Sequence, residues 1–171
     1  MRLGRHLPCG VLIALMPTRE ARHMQVAFEQ GNFEDAKKVR IAVFMEEQGF
    51  RNEFEDADAD ARMIHVTAYV DGVLAGCSRV FPAELEPALA SAPGRWVFGR
   101  LCVLPQFRKR GLGSAILRES ERIACEKGAT EMHLHAQCAA ARFYEQAGYA
   151  VYGPVEYDEH VEHQWYKKRL A

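Results

Sequence analysis

Arg108-Lys109-Arg110-Gly111-Leu112-Gly113 decides the reading of this chain, because of what stands on either side of it. Ahead runs Trp96-Val97-Phe98-Gly99-Arg100-Leu101-Cys102-Val103-Leu104, β-branched, aromatic and aliphatic, closed by Pro105: a buried strand ending in a turn. Behind it, Leu112, Ala115, Ile116, Ser120, Ile123 and Ala124 recur at helical spacing, with Arg118, Glu119, Glu121, Arg122 and Glu126 on the other face. Strand, basic glycine turn and amphipathic helix make one unit. A helix opens with unpaired N–H groups and the positive end of its macrodipole, so an anion can sit there. Gly111 and Gly113 have no Cβ, which lets the backbone approach a phosphate, and Arg108, Lys109 and Arg110 add charge at the mouth. The ligand that fits is a phosphate-bearing cofactor. Taken alone, these residues fit a glycine-started helix with a solvated basic turn equally well. Two other phosphate motifs are excluded: no Gly-Lys-Ser/Thr closes the loop, and no full Gly-x-Gly-x-x-Gly is present.

With 171 residues, 49% of them hydrophobic, one domain with a substantial core is expected. Its 22 basic and 23 acidic side chains nearly cancel, so nothing in the overall charge favours nucleic acid or an anionic membrane. The five cysteines, Cys9, Cys77, Cys102, Cys125 and Cys138, are odd in number and contain no Cys-x-x-Cys pair. They read as reduced thiols of a cytoplasmic protein, with Cys77 and Cys102 as small buried hydrophobes in strands.

Residues 1–23 differ from the rest. Val11-Leu12-Ile13-Ala14-Leu15-Met16 lies between Pro8 and Pro17, too short to span a bilayer and with no small-residue cleavage site after it. An accessory N-terminal arm or a misassigned start is the expectation, and the domain proper is placed at 24–171. There, Gln25-Val26-Ala27-Phe28 forms a first strand, Gly31-Asn32 breaks the chain, and Phe33, Ala36, Val39, Arg40 and Val43 hold one face of a helix. Seven carboxylates follow, Glu46, Glu47, Glu53, Glu55, Asp56, Asp58 and Asp60, against Arg51 alone. They read as a solvated acidic loop, or as an acidic lip that attracts a cationic amine and keeps one carboxylate as a base. The alternating Asp56, Asp58 and Asp60 lack the glycine and closing glutamate of a calcium loop.

Further on, Ile64–Val70 and Val73–Phe81 flank Asp71-Gly72, a hairpin with a favoured two-residue turn. Pro82 to Gly94 reads as a loop with one helical turn. Lys127-Gly128 stops the central helix, Glu131–Ala136 is a short strand, Ala139–Gln146 a helix ended by Gly148, and Tyr149–Tyr152 with His163–Leu170 a terminal hairpin. His133 and His135 share a face by alternation and read as a structural pair, with no metal site expected.

Arg108-x-x-Gly111-x-Gly113 after a strand, with Phe143-Tyr144-Glu145-Gln146-Ala147-Gly148-Tyr149 beyond the helix, resembles the GNAT superfamily of acetyl-CoA-dependent N-acetyltransferases. The likeness extends to an ElaA-like branch through Val43–Gly49, His65, Val97–Leu101, Leu134–Gln137, Phe143-Tyr144 and Glu156–Glu159 followed by His163. It implies an α/β (α+β) fold of the GNAT type, a mixed and mostly antiparallel sheet flanked by helices, over Met24 to Ala171. It also implies that the amides of Arg108, Lys109, Arg110, Gly111, Leu112, Gly113 and Ser114 cradle the pyrophosphate of acetyl-CoA. Leu101, Cys102 and Val103 would run beside the pantetheine arm, Ala140 and Phe143 would line the thiol end, and Tyr144 would protonate the departing thiolate. The binding cleft is placed between Trp96–Val103 and Met132–Ala136.

Acetyl transfer to an amine needs a neutral nucleophile, whereas an alkyl ammonium of pKa about 10 has no lone pair at pH 7. Glu47 or Glu55, directly or through water, is the expected base, Tyr144 the acid, and an N–H near Val103 the oxyanion donor. The acceptor is then a small-molecule or peptide amine, attacked in a ternary complex. A catalytically silent acyl-CoA-binding module is the alternative, since it needs the turn but not Tyr144. Sheet edges in the last hairpin leave room for a homodimer.

Overall fold

The computed structural model describes residues 24–170, so the expectations for residues 1–23 and for Cys9 lie outside the described residues. Seven strands form one sheet in the order β1-β2-β3-β4-β5-β7-β6. They are β1 Val26–Gln30, β2 Ile64–Val70, β3 Val73–Pro82, β4 Arg95–Val103, β5 Glu131–Gln137, β6 Ala150–Asp158 and β7 Val161–Arg169. The α-helices are α1 Phe33–Arg40, α2 Leu112–Glu126 and α3 Ala141–Gln146. β4 and β5 are parallel, and every other neighbouring pair is antiparallel. This is the mixed, mostly antiparallel sheet that the sequence leads one to expect.

Local chemistry accounts for most boundaries. Asp71 and Gly72 both have positive φ, 50° and 79°, the primed turn whose twist suits a two-residue hairpin. Asn32 starts α1 by accepting the Asp35 N–H at 3.1 Å, and the helix continues into a wider π-helical stretch, Ile41–Glu47. Gly128, left-handed at φ 92°, ends α2; its N–H donates to Cys125 O and that of Ala129 to Ala124 O, both at 2.9 Å, a Schellman ending. The last hairpin is longer than its sequence suggests. Its first strand is expected to end at Tyr152, yet β6 is an edge strand and carries Gly153 and Pro154 in a bulge between Tyr152 and Glu156, where a missing N–H costs no ladder bond.

The sheet is covered on both faces. Along β3, Cys77 turns toward α1 and packs with Ala36, Val39, Val43 and Cys102, while Ser78 Oγ lies 2.9 Å from Ser120 Oγ of α2. The larger core lies on the α2 side and includes Val66, Val80, Phe98, Leu117, Met132, Leu134 and Tyr166. α2 approaches so closely that a Cβ on Gly76 would stand 2.8 Å from Cys102 O and 2.9 Å from Ile116 Cδ1. Cys77, Cys102, Cys125 and Cys138 are free thiols, the first two buried. Among the described residues no helix is long and apolar enough to cross a membrane.

The acidic segment departs most from its sequence reading. Glu53 and Asp58 are only 5% and 4% exposed, because Arg40 of α1, Arg79 of β3 and Arg100 of β4 converge on them. Arg40 donates to Glu53 Oε1 at 2.6 Å and to Asp58 Oδ1 at 2.8 Å; Arg79 donates to Asp58 Oδ1 at 2.8 Å and to Glu55 Oε2 at 3.0 Å. Burial pushes the Asp58 carboxyl up, but hydrogen bonds from Arg40 and the charge of Arg79 outweigh it and hold it well below the carboxylate range. At Glu53 burial prevails over Arg100 and Arg40, and the carboxyl is raised. For Glu53 and Asp58 both expectations, a solvated acidic loop and an acidic lip, are corrected to an internal charge network.

Asp58→Asn keeps the shape and leaves two buried guanidiniums short of counter-charge, so a loss of about 3–5 kcal/mol is expected in urea unfolding. The stability owed to Asp58 is complete above the unfolded carboxylate pKa of about 4 and drains away as pH falls below it, because the folded pKa is the lower one. The Asn variant should lack that part of the acid sensitivity; an unchanged midpoint in urea would show the network to be energetically idle.

Candidate active site

β4 and β5 pair in register only from Arg95 opposite Glu131 to Phe98 opposite Leu134. Beyond Phe98 they part, and the cause lies in β4. Its register with β3 slips where Cys77 faces Cys102 but Arg79 faces Gly99, leaving one extra residue on β4. Arg100, inside the slip, is left-handed at φ 54°, which costs a non-glycine residue about 1–2 kcal/mol. Its guanidinium is anchored: Nη2 donates to Glu55 Oε1 at 2.9 Å, and Nε lies 3.2 Å from Glu53 Oε1. The cleft is therefore narrower than expected, opening between Gly99–Val103 and His135–Gln137 rather than along the whole of Trp96–Val103 and Met132–Ala136.

At one end of this opening, Pro105–Phe107 form a short 3-10 turn and α2 begins on Gly111. Lys109 and Gly111 are both left-handed, at φ 61° and 78°. Gly111 offers no side-chain cap, and the first helical bond runs from Ala115 N–H to Gly111 O. The N–H groups of Leu112, Gly113 and Ser114 are thus left without a helical acceptor, beside a cavity of about 310 Å³ lined by Val103, Lys109, Gly113, Ser114 and Phe143. Such a cradle suits a pyrophosphate. Lys109 and Arg110 are exposed at its mouth. Arg108 also lines it, but its side chain is tied back: Nε donates to Val103 O at 2.8 Å, and the terminal nitrogens donate to Glu47 at 2.7 and 2.6 Å. An unpaired carbonyl at the strand end and a carboxylate at the end of the π-helical stretch draw it back. The bond from Arg108 holds the Glu47 carboxyl below its ordinary range.

Farther along lies a second cavity of about 240 Å³, lined by Arg100, Leu101, His135, Ala140, Tyr144 and His163 among others. Tyr144, on α3, is 7% exposed; burial first, then Cys102 and Tyr166, push its hydroxyl above the usual tyrosine range, so it keeps its proton at neutral pH. The far wall is fastened across the sheet. Glu159, in the β6–β7 turn, accepts the N–H groups of Arg51 at 3.0 Å and Asn52 at 2.8 Å. Next to it His160 Nε2 donates to Gln48 O at 2.9 Å, and Gln137 donates to Gln48 Oε1 at 2.7 Å.

Tyr144, Leu101 and Ala140 thus share one cavity, while Phe143 lines the other. The Cys102 side chain turns to the α1 side, with Sγ 3.5 Å from Cys77 Sγ, and leaves only its backbone to the opening. Neither Glu47 nor Glu55 lines the Tyr144 cavity: Glu47 is paired with Arg108, and Glu55 with Arg79 and Arg100. His133 is engaged by Tyr152 Oη at 2.7 Å, and no cluster of three or more metal-ligating side chains occurs among the described residues. His163, which the sequence leaves open as a substrate-side group or an element of the last hairpin, lines the Tyr144 cavity. Sequence reasoning missed Arg40, Glu53, Arg100, His135 and Asp158 as site-forming residues. Only Arg40 carried a signal, an arginine within the apolar stripe of α1 that demands a buried counter-charge.

The model of the acetyltransferase (GNAT) family matches residues 25–149. Bacillus subtilis (strain 168) BSU40680, provisionally named an acetyltransferase, is 38% identical over 117 residues, 67% of this chain and 74% of that one. The crystal structure of an N-acetyltransferase from Lactobacillus plantarum, so assigned provisionally, aligns with a TM-score of 0.72 at 25% identity, covering 86% of this chain and 99% of that one. Escherichia coli ElaA shares the fold with a TM-score of 0.72 at 15% identity, covering 85% and 100%.

Arg100 supplies a direct test of the slip. Arg100→Gly relieves the left-handed strain and Arg100→Ala does not, while both lose the same ion pairs. The glycine variant should be the more stable of the two by about 1 kcal/mol in urea unfolding, inverting the usual order of these residues in a strand.

Proposed function

Because this chain belongs to the acetyltransferase (GNAT) family, we propose that it moves an acetyl group from acetyl-CoA to a primary amine of a small molecule or peptide, by direct attack in a ternary complex. The observation that carries this reading is the placing of two cavities along one opening of the sheet, one beside unpartnered helix N–H groups and the other lined by Tyr144. The amides of Arg108 to Ser114 suit the pyrophosphate, with Lys109 and Arg110 supplying charge. The open edge of β4 at Leu101, Cys102 and Val103 suits the amides of the pantetheine arm, which would add to it as a strand. Free thiols agree with a cytoplasmic setting.

When bound, acetyl-CoA supplies a thioester carbonyl, and the protein's part is to orient it and manage protons. An N–H of β4 near Val103 is the proposed oxyanion donor. Tyr144 is the proposed acid. A phenol of pKa about 10 gives up its proton to a thiolate of pKa about 8.5 only uphill, so Tyr144 is placed to bond the sulfur as the C–S bond breaks and to be reprotonated by the amide nitrogen. Glu47 and Glu55, read as bases from the sequence, are held by arginines. That observation gives the silent acyl-CoA-binding module its best support. The exposed Val151, Val155 and Tyr157 on edge strand β6 suit pairing with a second copy.

Calorimetry with acetyl-CoA should give micromolar binding that Gly111→Glu abolishes, since the variant puts a carboxylate into the anion cradle and a side chain at φ 78°. Tyr144→Phe should bind acetyl-CoA as tightly as the wild type and turn over about 10²-fold more slowly. Equal turnover would remove Tyr144 as the acid, and no binding by the folded wild type would overturn the cofactor assignment.

A further inference from the structure

We infer that Nε2 of His163 takes the proton that the acceptor amine must lose before it attacks, an assignment that rests on the transfer reading above. His163 stands on β7, is 7% exposed, and lines the cavity that holds Tyr144. Its Nδ1 lies 3.1 Å from Val161 O. A carbonyl only accepts, so Nδ1 carries the hydrogen and Nε2 keeps the lone pair. The ring is set between Phe50, at 6.3 Å between centroids, and His135, at 5.2 Å. It thereby offers Nε2 as a proton acceptor on the same cavity as the acid.

Apart from Asp158, the other carboxylates near the cavity and the His135 imidazole have partners elsewhere. Glu53 lines it but lies beneath Arg40 and Arg100. Glu47 and Glu55 do not reach it. His135 is stacked on Trp165 at 4.8 Å, and Glu156 Oε2 stands 3.4 Å from its Nε2. Asp158 lines the cavity and has no ion pair among the described residues, which gives a cationic acceptor one uncommitted negative charge to approach. The charged and titratable groups facing His163 are therefore His135 from β5, Asp158 and Glu156 from β6, His160 from the turn, Glu53, and Arg100 from β4.

The ammonium gives one proton to His163 Nε2, and the freed lone pair forms the N–C bond to the thioester carbonyl. The tetrahedral adduct collapses with cleavage of C–S; the sulfur takes the Tyr144 proton, and the second N–H proton of the former amine restores Tyr144. The proton on His163 passes to solvent, so that one ammonium and one thioester give one amide, one thiol and one proton.

The test compares two acceptors with acetyl-CoA: putrescine, a diamine charged at neutral pH whose second ammonium can meet Asp158, and hydroxylamine, which is already uncharged there. Wild type should acetylate both. His163→Gln should lose about 10²-fold in kcat with putrescine, keep its acetyl-CoA affinity, and stay close to wild type with hydroxylamine. A variant equally impaired or unimpaired with both acceptors overturns the base assignment while leaving acetyl transfer standing. A wild type that acetylates neither overturns transfer itself, and this assignment with it. Long-range ¹H–¹⁵N spectra of the wild type give a second readout that needs no folded variant. The neutral Nδ1–H tautomer of His163 is expected, and the Nε2–H tautomer would overturn the proposal.

Discussion

One extra residue in β4 is the constraint on which the rest of this structure depends. Parallel strands that keep their register leave no space between them, and β4 and β5 keep theirs through Phe98 and Leu134. The slip at Arg100 ends the pairing and exposes a strand edge in the middle of a sheet, where such an edge is otherwise covered. The left-handed backbone of Arg100 is held by Glu53 and Glu55, and these by Arg40 and Arg79. The carboxylates that look like a loose acidic loop are thus the brace of the opening. Their desolvation is unfavourable, and it is offset by three guanidiniums arriving from three different elements.

How much of this was legible follows from how local each cause is. The hairpin at Asp71-Gly72, the start of α1 on Asn32 and the stop at Gly128 each depend on a few neighbouring residues, and each is present. The strand, glycine turn and helix around Gly111 were legible for the same reason, since the cradle is made of backbone. The slip was not, because an arginine takes the conformation a glycine would have advertised. Nor could the sequence separate Glu53 and Asp58, which are buried, from Glu55, which is not: alternation is uninformative in a loop, and their partners lie on α1, β3 and β4. Arg108 shows the same limit within the turn itself. Its backbone is where the pattern puts it, but a carbonyl and a carboxylate brought by the fold reclaim its side chain.

The two ends of the opening are built by different means. At the cradle, amides and glycine conformations do the holding, so many side chains are compatible with one function, and a fold can persist at 15% identity to ElaA. At the Tyr144 cavity the lining comes from side chains on β4, β5, α3, β7 and the segment after α1. Changes there alter the lining of that cavity without disturbing the backbone of the cradle. An arrangement with a fixed end and a variable end is how a shared fold comes to serve different acceptors.

The clasp between Glu159 and the N–H groups of Arg51 and Asn52 also sets an order of events during synthesis. It joins positions 107 and 108 residues apart in the chain, and contacts of such separation form late because the intervening chain must first be confined. A chain leaving the ribosome from its N-terminus exposes β1 to α2 before any of β7 exists. The backbone of the cradle is therefore made before the β6–β7 turn that fastens the wall of the Tyr144 cavity.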